Sequence, residues 1–225
     1  MTRVNQTAAA RNGAAGGTAR VRRREPERSK RDILAAATAE FAAKGLAGAR
    51  VDQIAKRARI NKRMLYQYFG DKEALWLAAL EAAYENMRRE ERLLDVATMS
   101  PREGMAALMR FNFEYCSGHP EFISLLNNEN LHKAKYLKKS KRVRELYSPL
   151  LSLISDLLGR GQKSGVFRPG VDPVDLYLTI ASLGYFYFSN IHTLSTIFGR
   201  DLGARASRSH QAELFVDVIL RFLAP

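Results

Sequence analysis

A chain of 225 residues with 46% hydrophobic content is long enough to bury a sizeable core in one or two domains, and too apolar to be disordered. Its formal charge of +13 is uneven, with 17 Lys and Arg against 7 Asp and Glu over residues 1–76 and 19 against 16 over residues 77–225. That basicity points to a polyanionic partner, nucleic acid or an anionic membrane, and the lone Cys116 excludes an intramolecular disulfide and with it a disulfide-stapled secreted scaffold.

Residues 1–28 are rich in Ala, Gly, Arg and Thr without apolar periodicity, so they are expected to stay mostly disordered. They carry no apolar core of a secretory signal, and their Arg-rich start lacks the amphipathic pattern of a transit peptide. Arg20 and Arg22–Arg24 either reach a minor groove or phosphates as a basic arm or form a solvated tail. From Ser29 the chain is expected to turn helical: Ser29 and Asp32 form a capping-box-like pair, Ile33, Ala37 and Phe41 line one face, and Gly45 stands where a helix stop is needed.

Val51 to Phe69, VDQIAKRARINKRMLYQYF, reads as two short helices around a tight turn. Ile54, Ala55 and Ala58 give the first an apolar face, Leu65 and Phe69 do so for the second, and Asn61 is placed to cap the second. This is a helix-turn-helix pattern. On the second helix Lys62, Arg63, Tyr66 and Gln67 fall on a polar stripe separate from Leu65 and Phe69, a layout that suits a major groove. With the charge excess in the same segment, DNA is favoured over a membrane.

The run continues as Phe69-Gly70-Asp71-Lys72-Glu73-Ala74-Leu75, and from about Lys30 to Leu77 it resembles the N-terminal signature of TetR-type transcriptional regulators. The shared features are Ile-Ala in the first helix, Leu-Tyr-x-Tyr-Phe in the recognition helix and Lys-Glu-x-Leu opening the next helix. The sequence departs from the family twice. Arg59 stands in the turn where Gly is usual, so the turn must carry strain or bend differently. Ala49 replaces a Thr that touches phosphate, leaving Arg50 as the substitute. The resemblance implies DNA contacts from Arg50, Asn61, Lys62, Arg63, Tyr66, Gln67, Tyr68 and Lys72, with Gln67 reading a base edge, Lys62 and Arg63 touching base or phosphate, and Tyr66, Tyr68 and Lys72 on phosphate.

Gly70 closes the recognition helix, and Asp71 caps a helix from Lys72 to about Asp95 that links the DNA-reading part to the rest. Ser100-Pro101-Arg102-Glu103 is a capping box that starts a helix to about Cys116; another runs from Glu121 to about Leu131. The basic stretch Lys133 to Arg144 is expected as a solvated connection. A helix from about Arg142 to Ser164, kinked or restarted at Pro149, ends at Gly165, and Asp172-Pro173 caps the next. Leu176 to Phe198 has no charge and could span a bilayer by length, but its Ser, Thr, Asn and His argue for a helix buried against its own domain and a partner subunit. With the final helix, His210 to Leu223, it would form a four-helix dimer interface.

The resemblance implies a small-molecule pocket in the second part. Phe111, Tyr115, Phe122, Leu126, Asn130, Tyr147, Tyr177 and Tyr187 are its candidate lining, aromatic or apolar with a few polar groups. Each aromatic taken singly fits an ordinary core as well. His119, His132, His192 and His210 are scattered, with no metal-ligand or catalytic spacing, so no catalytic residue, metal or cofactor is expected. The expectation is thus an all-α protein: a disordered basic arm over residues 1–28, a three-helix helix-turn-helix DNA-binding domain over 29–77, and a helical ligand-binding and dimerisation domain over 78–225. Its expected function is that of a cytoplasmic homodimeric regulator, a repressor released from a palindromic double-stranded DNA operator by an unidentified small-molecule effector. An architectural DNA-binding protein without an effector is the rival reading, and a helical enzyme a more distant one.

Overall fold

The computed structural model describes residues 17–225, with side chains from Pro26 onward. Every regular element among the described residues is helical: α1 (Gly17–Gly48), α2 (Val51–Arg57), α3 (Lys62–Phe69), α4 (Lys72–Glu91), α5 (Pro101–Gly118), α6 (Pro120–Leu131), α7 (Lys141–Lys163), α8 (Pro173–Ser189), α9 (Ile191–Phe198) and α10 (Arg205–Leu223), with one 3-10 turn at Leu137–Lys139. Local chemistry sets most boundaries. The side chains of Asn61, Asp71, Ser100 and Asp172 accept from backbone N–H groups at the starts of α3, α4, α5 and α8, and at Ser100 the capping box closes in both directions. Gly45 breaks α1 with φ 64°, and Gly165 follows α7 with φ 71°.

Several elements differ from the sequence reading, α4 ending at Glu91 and α10 starting at Arg205 among them. Helix α1 begins at Gly17, so Ser29 sits inside it and caps nothing; Ala, Arg and Glu extend a nucleated helix at little cost, which a judgement based on burial overlooks. The disorder expected of residues 1–16 concerns residues outside those described, as do the side chains of Arg20 and Arg22–Arg24. Helix α7 runs on through Pro149 without restarting, the missing N–H falling on an exposed stretch. The uncharged run is two helices: Asn190 turns its amide back to the Phe186 carbonyl at 2.9 Å, and the chain redirects into α9. No helix among the described residues is long and apolar enough to cross a membrane.

Two apolar cores organise the packing. One joins Ile33, Ala37 and Phe41 of α1, Ile54 of α2, Leu65 of α3 and Leu75, Trp76 and Leu80 of α4 to Phe122, Ile123 and Leu125 of α6. The other joins Met105 and Met109 of α5, Ile154 and Leu157 of α7, Leu176 and Ile180 of α8 and Ile219 and Leu223 of α10. The division proposed at residue 77 falls inside α4, and α6 packs directly on α1, so the two proposed units share both helix and core.

A buried polar contact lies between them. Trp76 is fully buried, edge-on to Phe41 at 5.1 Å, and its indole donates to Glu129 Oε2 at 2.8 Å. Glu129 Oε1 accepts from the backbone N–H groups of Tyr136 and Leu137 at 2.9 and 2.8 Å, folding the post-α6 loop back onto α4. Tyr136 is buried there, although the basic stretch around it read as solvated. Glu129→Ala strands three donors, so it is expected to cost on the order of 3 kcal/mol of unfolding free energy in urea titration; a loss under about 0.5 kcal/mol would contradict this.

Candidate nucleic-acid interface and internal cavity

Helices α2 and α3 are held by the turn between them. Arg59 adopts the left-handed conformation that glycine takes easily, φ 55°, so the turn keeps its shape and carries the strain. Ile60 donates its N–H to the Ala55 carbonyl at 3.0 Å, and Asn61 accepts from Arg63 N at 2.9 Å. Leu65 is fully buried beneath α3, while Arg63, Tyr66 and Gln67 are exposed together on its outer side.

The other candidate DNA contacts sit differently. Lys62 Nζ lies 2.7 Å from Asp52 Oδ1. That contact holds the carboxyl below its ordinary range and the ammonium above its own, so Lys62 ties α3 to α2. Tyr68 is half-buried between α3 and α1, its ring 6.0 Å from Lys30 Nζ, and Lys72 Nζ donates to the Ala47 carbonyl at 3.3 Å. Arg50 is exposed at the start of α2 and does not cap it with its side chain. Arg50 and Arg63 are thus exposed cations, and Tyr66 and Gln67 are exposed as well.

A cavity of about 260 Å³ opens among α4, α5, α6, α7 and α8. Of the residues expected to line it, Phe122, Leu126, Asn130, Tyr147 and Tyr177 do. Three do not. Phe111 packs with the first core, Tyr115 stacks on His119 at 3.9 Å, and Tyr187 points its hydroxyl to the Leu202 carbonyl at 2.7 Å. On α8, Tyr187 is turned about 80° from Tyr177 to the side away from the cavity, at 100° per residue. Tyr185, turned as far the other way, lines the cavity instead, together with Met87, Asn112, Cys116 and Ser182. Tyr185 donates to Asn127 Oδ1, and Ser189 does so at 3.0 Å. The Cys116 thiol is pushed up to about 11 by burial, which keeps it unreactive.

Behind the cavity wall lies a charged pair that sequence reading missed. Arg88 is 1% exposed and Glu91, one turn on, 8%. Their signal was position: both fall on the stripe of α4 that Leu80 and Tyr84 open, where a charge needs a reason. Burial pushes the Glu91 carboxyl up to about 7, against the pull of Arg88 and Arg92. Among the described residues no group of three or more His, Cys, Asp and Glu could hold a metal.

Residues 33–79 match the family described as bacterial regulatory proteins, tetR family, and residues 101–219 match the tetracyclin repressor-like C-terminal domain. The HTH-type transcriptional repressor NicS of Pseudomonas putida is 36% identical over 203 residues, 90% of this chain and 96% of that protein. The HTH-type transcriptional repressor SCO4008 of Streptomyces coelicolor is 31% identical over 163 residues, 71% and 78% of the two chains. Among solved structures, the putative transcriptional regulator SCO4942 from Streptomyces coelicolor superposes with TM-score 0.64 at 24% identity, over 88% of this chain and 99% of that one, a likeness of fold alone.

The buried carboxyl gives a pH dependence. Folded Glu91 holds its proton to about pH 7, whereas the unfolded chain releases it near 4.5, so its contribution to stability is greatest at low pH and is lost as pH rises through that window. Glu91→Gln is neutral throughout, so the fall in unfolding free energy between about pH 5 and pH 8 is expected to be smaller in the variant by on the order of 1–3 kcal/mol. Parallel pH profiles of the two proteins would show that the pair is not buried as described.

Proposed function

The chain belongs to the TetR family of bacterial regulatory proteins, and on that premise we propose that it is a repressor which a small effector releases from its operator. It is a DNA-binding transcriptional regulator rather than an enzyme. The observation that carries the finer reading is the outer face of α3, where Arg63, Tyr66 and Gln67 stand exposed on a helix whose opposite face is anchored by Leu65. Arg63 offers a planar donor fork and Gln67 an amide that pairs with adenine, the side chains that read base edges in a major groove. Arg50, Tyr66 and Lys72 supply phosphate contacts that set the register.

A second copy of the chain completes the reader. Leu178 and Phe186 on α8 are 57% and 59% exposed and Val218 on α10 is 45% exposed, a large apolar surface for a lone subunit. Pairing these helices about a two-fold buries it and sets two α3 helices to enter successive major grooves about 34 Å apart, so the operator is palindromic. The proposed place of action is the cytoplasm.

Release follows from how α6 is held. Asn127 and Asn130 bond Tyr185 in the cavity wall, while the next side chain, Asn128, accepts the Leu46 N–H at 3.1 Å at the break in α1. An effector that fills the cavity and prefers a shifted α6 turns α1 and α4 with it, and the two α3 helices leave the operator spacing. It does so only through differential affinity for the two arrangements.

Selection from a genomic fragment library at about 150 mM salt tests the reading, because that ionic strength suppresses purely electrostatic binding. One enriched palindrome is expected; binding without preference that vanishes as salt rises would favour an architectural protein. On the enriched site, Gln67→Ala and Arg63→Ala are each expected to cost about 1–3 kcal/mol of binding by fluorescence anisotropy, with Gln67→Ala leaving affinity for unrelated DNA unchanged. Wild-type affinity in both variants would remove α3 as the reading helix.

A further inference from the structure

We infer that Arg88 is the receptor for an anionic group on the effector, so that the cavity takes a compact aromatic carboxylate rather than a neutral or cationic molecule. The inference rests on the regulator reading and adds the chemical class of its ligand.

Arg88 is among the largest fully buried side chains, and none of its guanidinium nitrogens has a hydrogen-bonding partner. Glu91 Oε2 approaches Nη1 to 2.8 Å, but without the alignment a hydrogen bond needs, so the contact is Coulombic only. With its carboxyl raised to about 7, Glu91 neutralises Arg88 only in part at neutral pH. A buried guanidinium with five donors idle is costly, and a structural role would have given it acceptors.

Arg88 neighbours Tyr147, in the tyrosine-lined wall of the cavity. Its central carbon lies 5.1 Å from the centroid of the Tyr147 ring, and Tyr147 accepts a hydrogen bond from the Tyr177 hydroxyl at 3.2 Å. Both tyrosines line the cavity, and Arg88 itself lines a second cleft between α4 and α7, so the guanidinium stands at the partition between two open spaces. Burial pushes the Tyr147 phenol up to about 12, so it remains a donor. A carboxylate reaching this wall meets the Tyr147 hydroxyl, whose proton the tyrosine pair leaves free, and, once the Tyr147 ring turns, a fork of matching geometry. Beside the polar Asn112, Asn130 and Ser182, the cavity is lined by Phe122, Leu126, Tyr185 and Met87, an apolar and aromatic surface that suits an arene.

The test uses benzoate, phenylacetate, cinnamate and the hydroxybenzoates, each beside its primary amide, titrated into the full chain on its selected operator while the melting temperature of the free protein is followed. At least one acid is expected to raise the melting temperature and release the operator, with its amide needing roughly tenfold more or failing. Arg88→Gln is expected to lose that acid response, read against its own affinity for operator, and Arg88→Lys to retain part of it. Should the glutamine variant not fold, the acid–amide comparison on the wild type decides alone. Amides as potent as acids, an undiminished response in Arg88→Gln, or no acid that shifts the melting temperature would each overturn the inference. If an operator is held and no acid acts, only the anion receptor falls; if no operator is selected, the regulator reading falls with it.

Discussion

The last turn of α6 is the point on which the structure depends. A buried carboxylate, Glu129, is tolerated there because three donors from α4 and the following loop surround it, and the neighbouring Asn128 takes an N–H that the break at Gly45 leaves free. Removing water from these groups makes each hydrogen bond expensive to lose, so α6, α4 and α1 keep their relation. The space is equally filled: a Cβ at Gly45 would stand 2.5 Å from the Asn128 amide, and φ at that residue is 64°. Glycine is required there twice over, for its conformation and for its size.

That same turn faces two ways. Residues 128 and 129 hold the DNA-reading end, while 127 and 130 hold Tyr185, which lines the cavity. Four consecutive side chains on a helix point in four directions around it, so one turn can hold partners on several sides. The proposed coupling between effector and operator needs no further device than this, because packed interfaces move between discrete arrangements rather than deforming by degrees.

How much of this the sequence showed depended on range. The caps at Asn61, Asp71, Ser100 and Asp172 and the stops at Gly45 and Gly165 were legible, because each is decided by residues three or four positions away. The exposed polar face of α3 was legible for the same reason, whereas at Arg59 the sequence left strain or a different bend open and the structure shows the positive φ. The family resemblance, confirmed by both matched regions, gave the fold of the remainder. Contacts distant in the chain were not legible. Tyr177 and Tyr187 have like neighbours along α8, and only the position of α5, α6 and α7 around that helix decides that one lines the cavity and the other meets Leu202. Lys62 read as free because Asp52 belongs to the other helix of the motif. Arg88 was passed over as one of many basic residues, although its place on the apolar stripe of α4 was visible.

The most direct measurement is a double-mutant cycle on operator affinity with Asn128→Ala, which cuts the tie to α1, and Tyr185→Phe, which removes one of the two hydroxyls that hold Asn127 in the cavity wall. If the last turn of α6 carries the coupling, each change alters affinity although neither residue touches DNA, and their effects fail to add by about 0.5 kcal/mol or more. Effects that add within about 0.3 kcal/mol, or a Tyr185→Phe protein that binds operator as the wild type does, would show that the cavity and the DNA-reading helices are not joined through this turn.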